Sequence, residues 1–166
     1  MKVIFETERL WLAEAALTDS AFFYELLNTP KWIEFIGNRH VNSIGLAEKY
    51  VKNHILPSYA NHGFGFYKMV LKTTNVTIGI CGLVKRPNLE NVDIGFALLP
   101  KYERKGLMYE AAQATLSYAK TELKLSKVVA ITVTENQASR NLLVKIGLHQ
   151  AGTVLFGKET LLLYST

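Results

Sequence analysis

Cysteine is almost absent from the sequence, and so are other features that would place the protein in a particular class. The single cysteine, Cys81, cannot form an internal disulfide or a cysteine-based metal cluster, and the 4 histidines show no metal-ligand spacing. No apolar run approaches the roughly 18 residues of a membrane-spanning helix. Glu6 and Glu8 interrupt the first residues, which therefore lack the pattern of a secretory signal. We expect a cytoplasmic protein that holds no metal and has no membrane partner.

The composition is that of a folded chain with a modest basic excess. The 166 residues are 49% hydrophobic and 20% charged, which excludes intrinsic disorder and predicts a single domain, residues 1–166. Most of the net charge of +5 comes from residues 84–166, which carry 11 basic and 7 acidic side chains. An anionic partner is therefore expected at the second half of the chain. No basic repeat or aromatic RNA-binding motif is present, so nucleic acid is not favoured as that partner.

Hydrophobic periodicity predicts a mixed α/β protein with the element order β-αα-βββ-α-β-α-ββ. Pro30 and Pro57 are expected to end the first two helices, and the three consecutive strands indicate an antiparallel meander. This order excludes a Rossmann alternation and a barrel, and it indicates an α/β sandwich. Strands are predicted at residues 5–13, 64–72, 77–84, 92–99 and 127–134, later helices at 106–123 and 137–146, and a final hairpin at 152–164.

The residues around two predicted helix starts are candidates for a functional site. Arg104 and Lys105 precede Gly106, where the free N–H groups of a helix's first turn would converge on an anion. This loop is neither a Walker A loop nor a G-x-G-x-x-G loop, and an ordinary basic turn is the alternative. At the second start, Asn136 is predicted to cap the helix by accepting the N–H of Ser139.

Together, these two stretches resemble the core motifs of the GNAT superfamily of acetyl-CoA-dependent N-acetyltransferases. The opening residues Glu-Thr-Glu-Arg-Leu, 6–10, are similar to the first strand of its Rim-type branch, which acetylates the N-termini of ribosomal proteins. The superfamily's phosphate motif, Q/R-x-x-G-x-G/A, falls on residues 103–108. Gly106 matches it, whereas Glu103 and Met108 replace a basic or amide residue and a small residue.

The resemblance implies a mixed, mostly antiparallel sheet with helices on both faces, in which the fourth and fifth strands splay apart and hold the coenzyme. The pantetheine arm would pair with the fourth strand, where Gly95 suits a bulge or a close approach, unless it only marks a weak strand. The implied coenzyme site consists of Phe96, Ala97, Leu98, Leu99, Arg104, Lys105, Gly106, Leu107, Met108, Tyr109, Asn136, Ser139, Leu142 and Lys145.

The resemblance also implies catalytic roles. Asp93 takes the position of the general base, with Glu90 or water alone as alternatives, although Asp93 could also be a solvent-facing strand carboxylate. The backbone N–H of Leu98 would polarise the thioester carbonyl. A tyrosine acid common in the superfamily is replaced by Leu143, so Ser139 is implied as the acid or thiolate partner, unless its hydroxyl is bonded locally.

An acceptor-binding wall is implied around the aromatic residues of the first half. Aromatic side chains at such spacing also suit a hydrophobic core. Lys85 and Arg86 are expected in a solvated turn. The residues implied for the wall are Trp32, Phe35, Arg39 and Phe64, with Ile36 and Phe66 as further candidates.

The leading hypothesis is acetyl transfer from acetyl-CoA to a primary amine by direct attack in a ternary complex. The acceptor would be a protein N-terminus or a small amine, and the enzyme a monomer or homodimer. A base matters more for lysine, which is neutral in about one molecule in a thousand at pH 7.4, than for an α-amine with a pKa near ~7.8. Glu103, Met108 and Leu143 keep open an alternative, a non-catalytic acyl-CoA-binding module.

Overall fold

The computed structural model describes all residues, Met1–Thr166, and builds them around one eight-stranded sheet of order β1-β2-β3-β4-β5-β6-β8-β7. Neighbouring strands are antiparallel except for β5 and β6, which are parallel. The strands are β1 (Val3–Glu6), β2 (Leu10–Glu14), β3 (Phe66–Leu71), β4 (Val76–Val84), β5 (Asp93–Leu98), β6 (Val129–Thr132), β7 (His149–Phe156) and β8 (Glu159–Ser165). The α-helices are α1 (Ser20–Leu27), α2 (Pro30–Phe35), α3 (Ile44–Tyr50), α4 (Leu56–His62), α5 (Leu107–Thr121) and α6 (Gln137–Lys145).

The first predicted strand is two strands. A turn separates β1 from β2, because the N–H of Thr7 donates to the carbonyl of Leu10 and the N–H of Leu10 donates back to the hydroxyl of Thr7. The alternating pattern continues through this turn, so the prediction of one strand at 5–13 was wrong.

Pro30 follows the end of α1 as expected, whereas Pro57 does not end a helix. The C-cap of α1 is Asn28, and Pro30 is the first residue of α2, where a missing N–H costs no intrahelical bond. Pro57 instead lies inside a longer helical segment, just after a π-helical turn. The chain from Ile44 onward stays helical through a π-helical turn, Val51–Ile55, and stops only at Gly63, whose φ of 77° suits a glycine. The prediction that Pro57 ends a helix was therefore wrong.

Helices cover both faces of the sheet and form two cores. Neighbouring residues of β4 illustrate the division, since Cys81 packs on the face of α5 and Ile80 packs on the face of α1–α3. Strand residues alternate between faces, so β5 also contributes to both cores. This confirms the mixed α/β architecture expected from the resemblance.

The parallel strands β5 and β6 pair only where they begin. Asp93 and Val129 form the single residue pair, supported by a bond of 3.0 Å from the N–H of Val129 to the carbonyl of Val92. β5 and β6, which are the fourth and fifth strands of the sequence prediction, then diverge, as the resemblance implied. On its other edge β5 bonds to β4, and the N–H of Leu99 donates to the carbonyl of Ile78. Because peptide groups alternate along a strand, the N–H of Leu98 points into the gap between β5 and β6.

Candidate active site

A cleft of about 1010 Å³ opens where β5 and β6 diverge. Its lining residues come from both cores, so the cleft passes between the strands from one face of the sheet to the other. We call its two parts the helix-start half, formed by 102–109 and 136–143, and the aromatic half, formed by Trp32, Phe35, Arg39, Tyr50, His54, Phe66, Arg86 and Asp93.

The helix-start half presents the free N–H groups of α5. Gly106 caps this 15-residue helix in a left-handed conformation, with φ of 72°, and its carbonyl accepts the N–H of Glu110 at 3.1 Å. The N–H groups of Leu107, Met108 and Tyr109 precede that first bond and have no intrahelical partner. Together with the dipole of α5, they make this end of the cleft favourable for an anion.

Arg9 holds the loop before α5 in place. Its guanidinium donates to the carbonyl of Lys105 at 2.9 Å and to the carboxylate of Glu110 at 2.7 Å. The backbone N–H of Arg9 and the hydroxyl of Thr7 also donate to Glu110. Burial alone would raise the pKa of Glu110, but these hydrogen bonds outweigh it and lower the pKa. Sequence reasoning missed this role, although the Glu-Thr-Glu-Arg-Leu stretch at 6–10 contains Arg9.

At the start of α6, Ser139 has a free hydroxyl. The side chain of Asn136 accepts the N–H of Ser139 at 3.2 Å, which confirms the predicted cap. The Ser139 hydroxyl forms no hydrogen bond within the chain, so the alternative of a locally bonded hydroxyl does not hold. Leu143 is 1% exposed and packs in the core, so no phenolic hydroxyl stands in its place.

Asp93 and Arg86 form an ion pair in the aromatic half. Asp93 is 1% exposed, and its Oδ1 accepts a hydrogen bond from the Nε of Arg86 at 2.9 Å. Burial raises the pKa of Asp93, and the Arg86 charge only partly offsets this. Asp93 is therefore not a solvent-facing carboxylate, and the expected solvated turn was wrong for Arg86, which also lies 5.8 Å from the ring centre of Phe156. Glu90 is exposed and lies outside the cleft.

Trp32 contributes an unusual polar group to the aromatic half. It is 6% exposed, and its indole N–H is buried without a hydrogen-bond partner. Tyr50 and His54, whose rings lie 5.0 Å apart, also line this half and were not anticipated from the sequence. They are one helical turn apart in the chain, but nothing in that spacing distinguishes a cleft wall from a core.

The structure places some predicted residues outside the cleft. Phe64 packs in the core beside the ring of His62, whereas Phe66 lines the cleft against Gly95. Three further residues do not line the cleft: Leu99 is buried, and Lys105 and Lys145 are exposed, with their ammonium groups over the rings of Tyr102 and Tyr109. The predicted residues that do line the cleft are Trp32, Phe35, Arg39, Asp93, Phe96, Ala97, Leu98, Arg104, Gly106, Leu107, Met108, Tyr109, Asn136, Ser139 and Leu142.

The structure contains neither a metal-binding cluster nor a membrane-spanning helix. No group of three or more His, Cys, Asp or Glu side chains is arranged to hold a metal ion. None of the helices combines the length and the apolar character that crossing a membrane requires.

Comparison with known proteins agrees with this fold. Residues 9–149 match the family model described as an acetyltransferase (GNAT) domain. The chain is 26% identical over 153 residues to the protein named uncharacterized N-acetyltransferase YoaA of Bacillus subtilis (strain 168), covering 91% of this chain and 85% of that protein.

Solved structures of acetyltransferases share the fold. A GNAT-family acetyltransferase from Bacillus anthracis superposes with a TM-score of 0.80 and 25% identity, covering 100% of this chain and 98% of that one. The ribosomal L7/L12 alpha-N-protein acetyltransferase RimL, in complex with coenzyme A, gives a TM-score of 0.83 at 18% identity, covering 99% and 97%. The family match spans the loop before α5, the diverging strands and α6, and the chain is an acetyltransferase that belongs to the GNAT family.

Proposed function

We propose that the protein transfers the acetyl group of acetyl-CoA to a primary α-amine, either of a protein N-terminus or of a small molecule. The observation that carries this proposal is the divergence of β5 from β6 next to the free N–H groups of α5. An extended ligand arm can pair with the open edge of β5 while its phosphates meet the helix start.

The residues of the helix-start half fit coenzyme A. The N–H groups of residues 107–109 and the side chain of Arg104, which has no ion-pair partner in the chain, would hold the pyrophosphate. The carboxylate of Glu103 is paired with Lys31 at 2.6 Å, so its charge is largely compensated. Met108 lines the cleft without closing it. The complex of RimL with coenzyme A, on a similar fold, supports this assignment.

Three groups of the chain would assist the transfer. Acetyl-CoA supplies an electrophilic thioester carbonyl and a thiol that leaves when the C–S bond breaks and the new C–N bond forms. The N–H of Leu98 donates to the carbonyl oxygen as negative charge develops there. Asp93, whose pKa is raised by burial, accepts the proton that the amine loses, directly or through water. The hydroxyl of Ser139 is free to donate a proton towards the departing sulfur.

The ion pair at Asp93 favours an α-amine over lysine. A carboxylate held by Arg86 is a weak base even though burial strengthens it. An α-amine with a pKa near ~7.8 is roughly a quarter neutral at pH 7.4 and needs little help, whereas lysine needs a strong base.

Calorimetry with acetyl-CoA, followed by mass spectrometry of a panel of amines and N-terminal peptides, tests the proposal. We expect saturable binding and acetylation of α-amines in preference to side-chain amines. No binding at millimolar acetyl-CoA would overturn the proposal, and binding without acetylation of any acceptor would favour the non-catalytic acyl-CoA-binding module instead.

A further inference from the structure

The aromatic half of the cleft contains hydrogen-bond donors that the chain leaves unused. Arg39 lines the cleft with an exposed side chain, has no ion-pair partner within the chain, and has only the hydroxyl of Tyr50 as a side-chain hydrogen-bond partner. Arg86 donates only through its Nε, to Asp93, so its terminal N–H groups have no partner. The buried indole N–H of Trp32 also has none. A guanidinium and an indole can donate but not accept, so a ligand that satisfies these groups must supply acceptor oxygens.

The two arginines and Tyr50 line the same cleft. Burial raises the pKa of the Tyr50 hydroxyl, and the charge and hydrogen bond of Arg39, together with the charge of Arg86, act in the opposite direction. The two arginines enter the aromatic half from different elements, Arg39 from the segment after α2 and Arg86 from the segment after β4.

The acidic groups of the cleft do not balance these cations. Asp93 is paired with Arg86, and Glu103 is paired with Lys31. Glu159 is exposed at the start of β8 and contributes the remaining carboxylate. The guanidinium of Arg39 thus has no carboxylate partner in the cleft, and an entering polycation would meet both Arg39 and Arg86 there.

We propose that the aromatic half binds a carboxylate that the acceptor carries near its reacting amine, with the amine at Asp93 and the carboxylate at Arg39. This rests on the proposed acetyl transfer and narrows its acceptors. Two sources share this chemistry: a free amino acid, through its α-carboxylate, and a peptide with an acidic side chain next to its N-terminus. Polyamines and aminoglycosides lack the carboxylate.

Matched acceptors distinguish the two sources. One pair is the peptides Ala-Glu-Ala-amide and Ala-Gln-Ala-amide, the other is alanine and alaninamide, and spermidine is the polycation. Each kcat/KM is divided by the neutral fraction of its amine. We expect a preference of about tenfold for the acid in at least one pair, in line with one charge-assisted hydrogen bond, and poor use of spermidine.

Two variants assign the preference to a residue. Arg39→Gln should abolish the preference by slowing the acidic acceptor about tenfold more than the amide acceptor. Lys49→Gln, which removes an exposed cation of α3 outside the cleft, should leave it intact. Equal use of acid and amide, a preference for spermidine, or an equal loss with both acceptors in Arg39→Gln would overturn the proposal while acetyl transfer stands. Failure to bind acetyl-CoA would instead overturn the proposed function.

Discussion

The ammonium of Lys31 lies 2.6 Å from the carboxylate of Glu103, so α2 is tied to the loop that precedes α5. The residue that departs most from the family's phosphate motif is thus neutralised by a side chain 72 positions earlier in the chain. The pair also joins the aromatic half of the cleft to the helix-start half, because Lys31 and Glu103 both line the cleft.

Glu103→Gln should tighten the binding of coenzyme A. The change removes a negative charge near the proposed pyrophosphate site and frees Lys31, and an exposed pair of this kind is worth about 0.2–1 kcal/mol, so we expect the Kd to fall by a factor of about 1.4 to 5. Calorimetry measures it, and pantetheine, which has no pyrophosphate, is the control ligand whose affinity should not change. Weaker binding of coenzyme A would show instead that the pair maintains the shape of the loop.

Arg9→Gln should loosen the loop before α5. Arg9 donates charge-assisted bonds to Glu110 and to the carbonyl of Lys105, so we expect a loss of about 2 kcal/mol in the free energy of unfolding and a higher Kd for coenzyme A. Urea unfolding and calorimetry check the two effects. Lys2→Gln is the matched control, because it removes an exposed ion pair with Glu14 at the same edge of the sheet. Unchanged coenzyme affinity in Arg9→Gln would contradict a positioning role.

Ser139→Ala should lower kcat without destabilising the fold. The cap of α6 uses the N–H of Ser139, which alanine keeps, whereas the hydroxyl has no partner in the chain. We expect kcat to fall about tenfold or more if the hydroxyl protonates the leaving sulfur. Asn136→Ala is the contrasting variant, with a loss of about 1 kcal/mol in stability from the missing cap. An unchanged kcat in Ser139→Ala would leave the sulfur to be protonated by water.

Asp93→Asn should slow acetyl transfer more at pH 6 than at pH 9. A neutral amine is scarce at low pH, so a base contributes most there, and at pH 9 the amine is already deprotonated. Burial raises the pKa of Asp93, which makes its carboxylate a better proton acceptor. The ratio of wild-type to variant kcat/KM across pH measures this effect, and Glu90→Gln, outside the cleft, should leave the profile unchanged. A ratio independent of pH would point to a structural role for Asp93.

Glu110 should make the fold sensitive to acid. Its pKa is lowered below the ordinary value of 4.5, so its contribution to stability is complete above that value and is lost as the pH falls through the lowered folded-state pKa. We expect Glu110→Gln to be less stable than wild type at neutral pH and to lose less stability on acidification. Urea unfolding at several pH values tests this, with the exposed Glu90→Gln as the control. Parallel losses in wild type and Glu110→Gln would contradict it.

The elements that were predictable from the sequence are those with clear local signals, such as an apolar strand pattern, a helix cap or a turn. The meander β3–β5, helices α5 and α6 and the β7–β8 hairpin all agree with the predictions within a few residues. The turn between β1 and β2 was missed because alternation runs on across Thr7. Pro57 was misinterpreted because the chain stays helical past it, through the π-helical turn at Val51–Ile55.

The site was predictable only where a local motif marks it. Gly106 and Asn136 stand at helix starts, and their backbone roles follow from nearby residues. The partners of charged groups follow from the tertiary fold instead: Arg86 lies in a turn, and nothing adjacent to it indicates a buried carboxylate 7 residues later. Tyr50 and Arg39 meet only because α2 and α3 pack on the same face of the sheet.

The single residue pair between β5 and β6 divides the sheet into two plates, β1–β5 and β6–β8, with almost no backbone bonding across the boundary. A ligand that bonds along β5 restores part of the missing ladder, so it acts as a strand that the chain itself does not supply. Ligand binding therefore also joins the two plates. The tighter the ligand is bound, the more firmly the two plates are held together, and the more the folded state is favoured over the unfolded chain.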